Sequence, residues 1–177
     1  MRPMESSSCS TTAVTESSVM GVRGSRRWKI VWHLQAFRSL EEGDTISLGA
    51  MESLDALRGL LDERVELLGA NNLYIVRVDG AFRRVAARTE LKQEPPFKKF
   101  AEVLAKDERR FVFENISGSL VCFYFPQYLE GVNTAGWHFH FLDDACTCGG
   151  HVFDIEMEQG KALLNKTDRF VMDLPHN

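Results

Sequence analysis

Gly136-Trp137-His138-Phe139-His140-Phe141-Leu142, followed by the polar stretch Asp143 to Gly150 and then His151-Val152-Phe153-Asp154, decides the fold class of this 177-residue chain. Histidine alternates with aromatic residues over the first run, the period-2 pattern of a strand that buries one face. His138 and His140 therefore project from one side, while Trp137, Phe139 and Phe141 pack on the other. The intervening segment, with its Asp and Gly residues, reads as a turn, and His151 opens a strand that returns antiparallel beside the first. That hairpin brings His151 back beside the pair.

Upstream, Leu54, Leu57, Leu61, Val65 and Leu68 recur at helical spacing, with Ser53 placed to cap the start and Gly69 to end it. Leu73 to Val78 is apolar and β-branched, Asp79-Gly80 is a hairpin turn signal, and Phe82 to Thr89 alternates as the return strand. Pro95 and Pro96 stop the chain and start a short second helix over Phe97 to Leu104. Further strands are expected at Trp28 to Phe37, Arg110 to Asn115, Ser119 to Phe125, Thr134 to Leu142, His151 to Glu158 and Arg169 to Leu174. Gly118, Gly131, Gly149-Gly150 and Gly160 punctuate them as turns. The class is α+β: a mostly antiparallel sheet with two short helices, a zinc site on adjacent strands and no internal repeat.

Residues 1–27 form a Ser/Thr-rich segment with too little apolar surface to offset the entropy of ordering, so 28–177 is expected to be the single folded domain. Arg23-Gly24-Ser25-Arg26-Arg27 reads as a solvated linker. A net charge of -4, with basic residues scattered rather than striped, argues against nucleic acid as a partner. No apolar run approaches the roughly 20 residues of a membrane span, and the first 20 residues lack the apolar centre of a signal peptide. Four cysteines, Cys9, Cys122, Cys146 and Cys148, are few for the length and read as reduced thiols of a cytoplasmic protein.

The chemistry concentrates in the hairpin. A single histidine on a strand is ordinarily a surface or satisfied core residue, as His33 is expected to be, but three of the chain's five on one sheet face point to a metal. Three neutral imidazoles, His138, His140 and His151, with a fourth position open suit a catalytic zinc. Cys146 and Cys148 in the loop are set aside, since a closed Cys-rich site leaves no room for substrate. Arg88, near the end of its strand, offers a planar fork for a carboxylate or enolate, with Glu90 and Glu94 as structural partners in the alternative.

The runs Leu73-Tyr74-Ile75-Val76-Arg77-Val78-Asp79-Gly80, Arg88-Thr89-Glu90-Leu91-Lys92-Gln93-Glu94-Pro95 and Phe113-Glu114-Asn115-Ile116-Ser117-Gly118-Ser119-Leu120-Val121 resemble, in order, the acetolactate decarboxylase family. So do Gly131-Val132-Asn133-Thr134-Ala135-Gly136-Trp137-His138-Phe139-His140-Phe141 and Gly149-Gly150-His151-Val152-Phe153-Asp154. The resemblance is collinear from about Ser53 to Pro175 and covers the C-terminal half of the family's fold. It implies that the three histidines bind zinc, that Arg88 contributes to the active site, and that 2-acetolactate is decarboxylated to acetoin in the butanediol branch of pyruvate metabolism. A hydroxyl beside a ketone can chelate one metal, and a Lewis acid stabilises the charge left when carbon dioxide departs. The family's N-terminal half, with a glutamate near the zinc, and a further glutamate in its C-terminal tail have no counterpart here. Impaired turnover by a truncated chain is the corresponding expectation.

Two alternatives belong to other classes. A cupin-type metalloenzyme also uses His-x-His with a later histidine but wants a glutamate shortly after the pair, where this chain offers Asp144. A non-catalytic zinc-binding remnant or interaction protein would keep the histidine sheet without a closed pocket. An exposed sheet edge would favour pairing, with a homodimer as one outcome.

Overall fold

The computed structural model describes residues 43–90, 102 and 108–170. Among the described residues, strands β1 (Asp44–Leu48), β2 (Leu73–Glu90), β3 (Glu108–Phe125), β4 (Gly136–Asp143) and β5 (Gly149–Thr167) accompany the helix α1 (Leu54–Leu68) and a 3-10 turn at Gln127–Leu129. The helix obeys its sequence signals. The Ser53 hydroxyl accepts from the Ala56 N–H at 3.2 Å, and Gly69, at φ 105°, donates its N–H to Val65 O at 2.8 Å.

Every pairing is antiparallel, in the order β1-β5-β2-β3-β4, and β4 also pairs with β5. β2, β3, β4 and β5 thus close into a ring. Its seam is short, since β4 meets β5 only at His140↔His151, Phe141↔Gly150 and Leu142↔Gly149. Leu54, Leu57, Leu61 and Val65 of α1 are buried against the inward side chains of the strands, among them Val76, Phe82, Leu120, Phe139 and Ile155. The helix is tied to β4 by Trp137, whose Nε1–H donates to Asp62 Oδ1 at 2.7 Å. Its first turn is tied to β5, where Asp154 Oδ1 accepts from the Leu54 N–H at 3.3 Å.

The expected hairpin turn at Asp79-Gly80 is absent, and β2 runs straight through it. Asp79 pairs with Ser119 and Lys161, and Gly80 with Gly118 and Gly160, so three glycines stand abreast on β5, β2 and β3. They permit close strand approach: a Cβ on Gly80 would lie 2.7 Å from Gln159 O. For the same reason Gly118 and Gly160 lie within long strands rather than ending short ones, which merges the expected strands around them into β3 and β5. β1 was not expected; it is a five-residue edge strand whose residues are mostly exposed and so lack a strong apolar period.

The second helix expected over Phe97 to Leu104, position 102 aside, falls outside the described residues, as do the Trp28 to Phe37 strand with His33 and the 1–27 segment. Residues 168–170 carry no strand. Cys122 and Cys148 are free, but Cys146 is disulfide-bonded, which corrects the expectation of reduced thiols at that position. Cys146 sits on the loop between β4 and β5 at φ 56°. No helix among the described residues is long and apolar enough to cross a membrane.

Candidate active site

Strand alternation sends Phe139 and Phe141 into the core, leaving His138 and His140 half-buried on the outer face of β4. His151, on β5, stands directly opposite His140 across the seam. Across β5 and β2, His151 is in turn opposite Arg88, and across β2 and β3 Arg88 is opposite Arg110. Residues opposed in register share a face. One row around the ring therefore carries His140, His151, Arg88 and Arg110, with His138 two residues before His140 on the same side.

The His140 and His151 rings meet edge to face with centroids 5.0 Å apart, and those of His138 and His151 are 6.3 Å apart. A tetrahedral zinc with bonds of about 2.0–2.1 Å to ring nitrogens sets imidazole centroids about 5 Å apart. The first separation fits as it stands. The second requires the His138 ring to shift by about 1 Å toward His151, on that same geometry. Among the described residues no group of three His, Cys, Asp or Glu side chains stands in a metal-holding arrangement as placed. His138 Nε2 lies 3.0 Å from Thr134 O, and a proton assigned to that nitrogen leaves Nδ1 with its lone pair free for an electrophile.

Arg88 is held from β3. Its Nη1–H donates to Glu108 Oε2 at 3.0 Å, while the other oxygen of the same carboxylate accepts from Arg110 Nε–H at 2.6 Å. The Glu108 side chain is only 15% exposed. The hydrogen bond from Arg110, opposed by partial burial and reinforced by the one from Arg88, holds the Glu108 carboxyl below its ordinary pKa. Arg110 also lies over the Phe153 ring, 5.3 Å from its centroid. Among the described residues, Arg88 Nε is buried with no hydrogen-bond partner.

The hairpin loop has its own organiser. Buried Asp143 accepts from Thr147 N–H at 2.7 Å, Thr147 Oγ1–H at 2.9 Å and Cys148 N–H at 2.7 Å. Asp144, the residue that a cupin reading would need as a ligand, is instead exposed in this loop, its N–H bonded to Ser117 O at 3.2 Å.

Glu108 was missed in the sequence. The alternation of Glu108 and Arg110 was available as a signal, but the strand was expected to begin at Arg110. The carboxylates expected beside Arg88, Glu94 and the Glu90 side chain, fall outside the described residues.

The alpha-acetolactate decarboxylase family model matches residues 31–177. A Methanosarcina mazei alpha-acetolactate decarboxylase is 42% identical over 135 residues, covering 76% of this chain and 46% of the relative. One from Brevibacillus brevis is 32% identical over 136 residues, covering 77% of this chain and 47% of the relative. The crystal structure of alpha-acetolactate decarboxylase from Bacillus subtilis strain 168 superposes with a TM-score of 0.69 at 30% identity, covering 76% of this chain and 56% of that one. The chain spans about half the length of the curated relatives it matches. On the strength of the family match and the shared fold, the chain belongs to the alpha-acetolactate decarboxylase family.

Proposed function

We propose that this chain decarboxylates 2-acetolactate to acetoin and carbon dioxide, with His138, His140 and His151 holding a zinc ion and Arg88 binding the substrate carboxylate. The observation that carries the proposal is the shared row: His140, His151 and Arg88 are successive register partners on one sheet face, next to His138. Family membership supports the reaction class.

A zinc ion held there would supply a Lewis acid to the vicinal hydroxyl and ketone oxygens of the substrate. Neutral histidines donate ring lone pairs, and Thr134 O fixes the tautomer of His138 that does so. Arg88 brings a permanently charged planar donor set, and its Nε has no hydrogen-bond partner among the described residues. As the bond to the carboxylate carbon breaks, its electron pair moves toward the ketone oxygen and carbon dioxide leaves. A proton on the former quaternary carbon completes acetoin.

Zinc content and acetoin formation test the proposal together. About one zinc per chain is expected, lost in His138→Ala and His151→Ala. Arg88→Lys should keep zinc and lose most activity, because lysine cannot reproduce a bidentate contact. The comparison should run beside a family relative at matched zinc occupancy. Parent-like zinc in both histidine variants would defeat the metal assignment. Zinc without acetoin would favour a non-catalytic metal-binding protein.

A further inference from the structure

The outer-face row sets two guanidinium groups, Arg88 and Arg110, directly opposite each other on β2 and β3. Like charges in opposed positions repel. A single carboxylate resolves the conflict. Glu108, two residues before Arg110 and so on the same face, gives one oxygen to each arginine, at 3.0 Å to Arg88 and 2.6 Å to Arg110. Arg110 is held a second time by its contact with Phe153, itself two residues beyond His151. Among the described residues Arg88 has no comparable second hold: Nη1 is tied to Glu108, while Nε is buried with no hydrogen-bond partner there. A buried donor left in this state is costly unless a ligand completes it.

Resting on the carboxylate role given to Arg88 above, we propose that Glu108 is the positioning residue of the site, clamping Arg88 from β3 so that its remaining donors meet the carboxylate of a 2-hydroxy acid beside the histidines. Among the described side chains, Arg88, Arg110 and Glu108 together carry a single net positive charge, which matches a monoanionic substrate. Glu108 does not touch the ligand; it acts through Arg88. Gln at this position loses the charge and replaces one of the two acceptor oxygens with an NH2 donor, so it cannot give a separate charged oxygen to each arginine.

A binding cycle tests the coupling without requiring turnover. The probe is 2-hydroxyisobutyrate, whose carboxylate and tertiary hydroxyl copy one half of 2-acetolactate, titrated calorimetrically into the purified full chain. Glu108→Gln should weaken binding about tenfold, the scale of one charge-assisted hydrogen bond. Arg88→Ala should weaken it at least as much, and Glu108→Gln added to Arg88→Ala should cause no further loss. Glu108→Asp, which keeps the charge but shortens the reach, gives a second reading should the glutamine variant fold poorly. A merely structural role for Glu108 gives additive losses. Additivity, unchanged affinity in both Glu108 variants, or no binding by the parent overturns the proposal. Acetoin formation by the parent is followed in parallel; its absence removes the decarboxylase assignment, while the cycle still decides whether Glu108 positions Arg88.

Discussion

Asp143 shows how one residue sets the geometry of the histidine hairpin. Burial alone would raise its pKa, but the hydrogen bonds from Cys148 N–H and from the Thr147 hydroxyl and N–H outweigh that and hold the carboxyl below its ordinary value. A depressed folded-state pKa contributes stability that is present in full above the unfolded value of about 3.9, and that is lost as pH falls through the folded one. Asp143→Asn is therefore expected to cost about 2 kcal/mol at neutral pH, given the worth of hydrogen bonds to a charged acceptor. Urea midpoints of parent and variant should begin to converge below about pH 4 and meet once pH has fallen through the lower folded-state value, where the parent carboxyl takes up its proton. A gap that stays constant from neutral to acid pH would show that the charge is not what matters. Cys122 obeys the opposite influence: complete burial pushes its thiol far up, so it is inert where it lies.

At the scale of elements, the β4–β5 seam depends on close backbone approach. A Cβ on Gly149 would stand 2.2 Å from Phe141 O, a backbone atom that cannot rotate away. Gly149→Ala should force β4 away from β5 where His140 faces His151, at a cost of about 1–3 kcal/mol for an overpacked site. A Cβ on Gly59, on the exposed side of α1, meets nothing within 4 Å. Gly59→Ala should therefore stabilise by up to about 1 kcal/mol through helix propensity. Chemical denaturation of both variants measures the contrast. Equal effects would mean that the seam yields easily and does not fix the spacing of the two rings.

For the whole molecule, the ring closes through three residue pairs at the seam, whereas β2 pairs along most of its length with both β3 and β5. A metal bound by His138 and His140 on one side and His151 on the other would staple that short seam. Ligand present at a hundredfold over its Kd adds about 2.7 kcal/mol to folding stability. For a chain of this size that corresponds to a Tm rise of about 5 to 10 °C. Adding a chelator should lower the parent Tm by this amount and leave His151→Ala unmoved. Identical melting of the parent with and without chelator would mean that zinc does not bridge β4 and β5.

The capped helix, the strand alternation that separates His138 and His140 from Phe139, and the return of His151 were legible in the sequence because each follows from local periodicity and a terminating residue. The same local logic misread Asp79-Gly80, Gly118 and Gly160 as turns. Glycine marks both a turn and a close approach of strands, and only the pairing partners tell the two apart. Register is a non-local property, set by which apolar faces of the strands and of α1 meet in the core. Tertiary structure alone therefore decided that Arg88 stands opposite His151 and that Glu108, twenty residues away in the chain, receives a hydrogen bond from its guanidinium.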